Sequence, residues 1–112
     1  MTYFITEDER RKSGSTCYIE FQKGAYDGKC WKNDSLCISD ELFHELKLSR
    51  LFSRTLPQFD YFGVTQVTRE AFDKLRKAAN SYSFDTQECL NELADYFYTS
   101  EIVEPLFTVC GM

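Results

Sequence analysis

The sequence predicts a single α+β domain spanning residues 1–112, an antiparallel sheet of about four to five strands packed with about three helices. Three observations carry that prediction. The 112 residues amount to one domain's length. Hydrophobic types make up 43%, including ten Phe, seven Tyr and one Trp, enough large side chains for one core without cross-links. Short β-branched and aromatic runs are interspersed with longer runs of helical apolar spacing.

A first strand is expected at 2–6, before a polar segment in which Glu7-Asp8-Glu9, Arg10-Arg11-Lys12 and Ser13-Gly14-Ser15 read as a solvated loop. Residues 16–22 carry Thr16, Tyr18, Ile19 and Phe21 and read as a strand. Lys23-Gly24 and Tyr26-Asp27-Gly28 have turn chemistry. Short strands are expected at 29–31 and 36–38. Ser39 or Asp40 caps a helix over about 40–52, with Leu42, Phe43, Leu46 and Leu51 on its apolar side. A strand follows over 58–67, dense in aromatics, with Gly63 marking a bulge. Thr68 caps a helix over about 69–80, whose Glu70–Lys74 and Asp73–Lys77 pairs support an exposed face. A third helix is expected over 85–98. Residues 101–112, with Pro105 between two apolar pairs, are compatible with a closing strand or a turn of helix.

Chemistry-bearing patterns are sparse. Cys17, Cys30, Cys37, Cys89 and Cys110 are odd in number and irregular in spacing, which suits reduced, largely apolar thiols better than a disulfide framework. The nearest pair, Cys30 and Cys37, is too widely spaced for a zinc knuckle. No metal, cofactor or catalytic residue is predicted. His44 is the one histidine, and an enzyme would need the fold to bring a cysteine or carboxylate to it. The glycines form no phosphate-cradling loop, and Trp31 suits packing or an interface. No run approaches the ~20 apolar residues of a membrane span. The start lacks a basic segment and an apolar core for secretion, so a cytoplasmic protein is expected.

Charge is distributed unevenly. The net charge is −5, and the last basic residue is Lys77, so residues 78–112 hold Asp85, Glu88, Glu92, Asp95, Glu101 and Glu104 with no Lys or Arg. Direct nucleic-acid binding is disfavoured, because nothing in that third neutralises a phosphate. At 100° per residue, Asp85, Glu88, Glu92 and Asp95 fall within an arc of about 80°, flanked by Asn91 and Tyr98, while Cys89, Leu90, Leu93 and Phe97 form the core side. Like charges at these spacings repel, and ordinary helices intersperse both signs. The ridge, extended by Glu101 and Glu104, is therefore the candidate partner-binding surface, with Tyr82, Tyr96 and Tyr98 as anchors or core edges. The alternatives are a solvated face, a first turn rewarded by the helix dipole, or basic residues such as Lys74 or Arg76 folding over Glu92 and Asp95.

In length, acidity, aromatic content and α+β reading, the chain resembles the small acidic immunity proteins that bacteria make against their own toxins, including those of contact-dependent inhibition systems. The resemblance implies a non-enzyme that inhibits by binding, with a basic, nuclease-like toxin C-terminal domain as partner, its active site blocked or covered. Two alternatives stand beside it: a small enzyme or enzyme subunit using His44, and a phage-type regulator whose carboxylates imitate nucleic-acid phosphates. If the ridge is the contact, reversing Glu92 and Asp95 should weaken binding and leave folding unaffected.

Overall fold

The structure, a computed structural model, describes residues 2–98 and 106–112. It is α+β, as predicted: one antiparallel sheet of five strands with five helices, four of them seven residues or longer. The strands are β1 (Ile5–Thr6), β2 (Tyr18–Lys23), β3 (Leu36–Ser39), β4 (Val64–Thr68) and β5 (Leu106–Cys110), in spatial order β1-β3-β2-β5-β4. The helices are α1 (Glu7–Ser13), α2 (Asp40–Glu45), α3 (Leu48–Thr55), α4 (Arg69–Ala78) and α5 (Phe84–Tyr98), with a 3-10 turn at Ala79–Ser81.

Strand alternation divides the sheet into two faces of different chemistry. Ile19, Phe21, Leu36, Ile38, Val67, Phe107 and Val109 point to one face and are buried under α2–α5. Aromatic rings dominate that core: Phe107 meets Phe72 edge-on at 5.5 Å and stacks on Phe97 at 4.8 Å, and Phe52 meets both Phe21 and Phe43. On the other face Glu20, Gln22, Cys37, Thr108 and Cys110 are also buried, beneath the loop over 24–35. The Glu20 carboxylate accepts from Trp31 N and Lys32 N at 2.8 Å each and from Ser35 Oγ at 2.6 Å. Gln22 donates to Lys29 O, and Thr108 Oγ1 to Gly24 O.

Five sequence expectations are corrected. The charged segment after Thr6 is the helix α1, not a loop: Thr6 and Glu9 form a reciprocal capping box, and Gly14, at φ 74°, closes it in the left-handed region. The residues at 29–31 are not a strand, because Asp27 captures the Lys29 amide, Glu20 captures those of Trp31 and Lys32, and Trp31 takes φ 61°. The helix expected over 40–52 is two helices broken at Lys47, φ 57°. In one straight helix, Phe43, Leu46, Leu48, Leu51 and Phe52 would spread over about 240°; the break lets all five be buried. The strand expected over 58–67 begins at Val64, because Asp60 accepts from Phe62 N and Gly63 N donates to Asp60 O, closing a turn. The first strand is only two residues long, since residues 2–4 bind a side chain instead. The open reading of the C-terminal segment resolves to a strand, β5, between β2 and β4.

Candidate functional site: an acid-lined groove beside the last helix

Helix α5 carries the acidic ridge on one side and Cys89, Leu90, Leu93 and Phe97, all buried, on the other. Its first turn is held by Ser83, which accepts from Thr86 N, while Thr86 Oγ1 reaches back to Leu46 O at 2.7 Å. The N-terminal segment runs alongside. Thr2 N and Tyr3 N each donate to Glu92 Oε2 at 3.1 Å, and Phe4 N donates to Glu92 Oε1 at 3.1 Å. Tyr3 Oη donates to Asp85 Oδ1 at 3.0 Å, and burial, followed by that contact, raises the tyrosine's pKa. Phe4 then enters the core edge-on to Phe21 at 5.4 Å.

A groove of about 570 Å³ lies between this segment and α5. Glu88, Glu92 and Asp95 supply its carboxylates, Tyr3, Phe84 and Tyr96 its aromatic walls, and Thr2 and Asn91 its remaining lining; among the described residues no Lys or Arg lines it. Phe84 is 73% exposed. Tyr96 is half-buried, with its ring edge-on to Phe97 at 5.1 Å and Lys23 Nζ over the ring at 4.5 Å from its centre. Burial lifts its hydroxyl to about 12, so it stays a neutral donor at any physiological pH.

Of the sequence-predicted residues, Glu88, Asn91, Glu92 and Asp95 come together in this groove, and Asp85 sits to one side against Tyr3. Glu101 and Glu104, and the side chain of Tyr98, lie outside the described residues. Two expectations about the ridge need correction. Glu92 is not a free contact residue, because three backbone amides already converge on it; reversing its charge would release the N-terminal segment. Nor does the ridge stand clear of basic residues. Arg76 Nη2 donates to Asn91 Oδ1 at 2.7 Å, Asn91 Nδ2 donates to Glu88 Oε1 at 3.2 Å, and Arg69 and Arg76 share a second concavity with Glu88 and Asp95 between α4 and α5. Glu88, Asn91 and Asp95 line both concavities, whereas Glu92 lines only the groove beside the N-terminal segment. Sequence reasoning missed Phe84, Tyr3 and Thr2. The helical wheel does place Phe84 among the acids, at about 260° from Asp85 and opposite the core; the N-terminal residues give no such local signal.

His44 lies elsewhere, beside a carboxylate rather than a cysteine. Its Nε2 is 3.3 Å from Asp40 Oδ1 and 3.1 Å from Tyr61 Oη, and Tyr61 donates in turn to Asp40. Burial first, then the Asp40 contact, push the Tyr61 hydroxyl up to about 12. Among the described residues no helix is long and apolar enough to cross a membrane. Compared with protein-family models, curated proteins and solved structures, the chain matches none.

Proposed function

We propose that the chain is a stoichiometric protein-binding inhibitor of the immunity type, acting in the cytoplasm on a basic, nuclease-like toxin domain and covering or blocking its active site. The observation that carries this reading is the groove along α5: three carboxylates and three aromatic rings, with no Lys or Arg in its lining among the described residues and with Phe84 largely exposed. A guanidinium or ammonium on a partner would meet carboxylates and ring faces together, the combination that makes Arg and aromatic residues interface anchors. The chain's net charge of −5 would steer a basic domain toward it.

Pairing the chain with the product of the gene immediately upstream tests the reading. The expected result is a 1:1 complex with a basic domain and protection of growth when the two are co-expressed. Phe84→Ala with Glu88→Lys should weaken that complex by about 2–5 kcal/mol, the cost of disrupting a desolvated charge pair. A partner without basic character, or a complex indifferent to both substitutions, would refute it. If the captured protein is a nucleic-acid-processing factor rather than a toxin, the mimicry alternative holds instead, since the physics is shared and only the partner differs.

The enzyme reading is supported by one contact, the Asp40–His44 pair. It requires His44→Ala to abolish an activity, whereas a binding protein should tolerate that change.

A further inference from the structure

Three ligand-bearing side chains from distant parts of the chain meet on the sheet face opposite the helical core. Glu20 and Cys110 sit directly across the β2–β5 ladder from each other, so the sheet register fixes their proximity. Cys30 arrives from the loop that covers this face. Its Sγ, the Cys110 Sγ and a Glu20 oxygen all lie within 4.8 Å of one another. Cys30 is exposed, while Glu20 and Cys110 are buried, so the cluster has one wall open to solvent.

We propose that Cys30, Cys110 and Glu20 form a binding site for a thiophilic divalent cation of the zinc class.

Spacing, donor chemistry and surroundings all favour it. Zinc–sulfur bonds of about 2.3 Å and zinc–oxygen bonds of about 2.0–2.2 Å place donors on a tetrahedral ion roughly 3.5–3.8 Å apart. The cluster needs to close by only about 1 Å, and the exposed Cys30 side chain is free of the sheet that holds the other two. Two thiolates and one carboxylate suit zinc far better than calcium or magnesium, which take oxygen ligands alone. Binding expels the two thiol protons to solvent and involves no change of oxidation state. The carboxylate is already oriented by Trp31 N, Lys32 N and Ser35 Oγ, as outer-shell donors orient a metal ligand. Gln22 adds an independent observation. Its Nε2 is committed to two acceptors, Glu20 Oε1 and Lys29 O, which leaves its buried Oε1 without a hydrogen-bond partner. The side chain that carries this unpaired oxygen meets the carboxylate through its Nε2.

The test titrates fully reduced protein with Zn²⁺ against a chromophoric chelator, and with Co²⁺ as a spectroscopic probe. The site predicts 1:1 uptake and a sulfur-to-cobalt charge-transfer band of two-thiolate intensity. Cys30→Ser, at an exposed position that leaves the core intact, should halve the band and weaken zinc at least about 100-fold, since even outer-shell partners are worth 10–100-fold. Cys17→Ser, an exposed cysteine outside the cluster, should change neither. No cobalt–sulfur band in the reduced wild type, or uptake that Cys30→Ser leaves unchanged, would overturn the site.

Discussion

Two buried acids shape this molecule at the residue scale, and they act differently. Glu20 has no salt-bridge partner among the described residues; it gathers Trp31 N, Lys32 N and Ser35 Oγ, and so holds a tryptophan in the left-handed region that glycine would normally fill. Glu20→Ala leaves three donors stranded under the loop, each costing about 1–3 kcal/mol, and urea denaturation should show a loss of several kcal/mol. Glu7 does have a basic partner. Arg10 reaches it through Nε at 2.5 Å and Nη2 at 3.0 Å, then stacks over Trp31 at 3.9 Å. The hydrogen bond from Arg10 is the main cause holding the Glu7 carboxyl below its ordinary value of 4.5. A carboxyl with a lowered folded-state pKa adds stability above its ordinary value and loses it as pH falls through the lowered one. The stability gap between wild type and Glu7→Gln should therefore be constant near neutrality and narrow below about pH 4.5, as urea midpoints across that range would reveal.

The elements differ in how far they could be read from sequence. The core side of α5 and the cap of α4 were legible because both depend on local spacing: Leu90, Leu93 and Phe97 recur at helical intervals, and Thr68 accepts from Ala71 N as its position implies. The α1 capping box was equally local, in Thr6 and Glu9, but the run of charges around it masked the signal. What was illegible depends on partners remote in sequence. The 24–35 loop is shaped by a carboxylate on β2, and β5 takes its central place only by pairing with β2 and β4. The part of the groove wall formed by Thr2 and Tyr3 was invisible for the same reason, since residues 2–4 reach Glu92 across almost the whole chain. Glu92→Ala should free that segment: backbone amide exchange at residues 2–4 should accelerate, with a stability loss of about 1.5–3 kcal/mol for bonds to a charged acceptor. At the break between α2 and α3, Lys47→Gly should stabilise the protein by about 0.5–1 kcal/mol, because glycine takes φ 57° without strain. A gain in thermal midpoint would confirm it.

At the scale of the whole molecule, the sheet separates two kinds of interior. Rings and aliphatic side chains fill the space under α2–α5, and a polar layer lies beneath the loop with Cys30 at its open side. The groove belongs to neither. It lies at the helical margin, where the start of the chain runs beside α5; the N-terminal amides hold its Glu92 and Asn91 holds its Glu88. A surface anchored in this way is pre-organised, which lowers the ordering cost of binding. The most direct measurement is calorimetric titration of the proposed basic partner, the product of the gene immediately upstream, into wild type and into Phe84→Ala/Glu88→Lys, each checked first for an unchanged urea midpoint. A 1:1 stoichiometry is expected, with an affinity that falls at least about 30-fold in the variant, the lower end of the 2–5 kcal/mol expected for a desolvated pair. Equal affinities in the two proteins would contradict it.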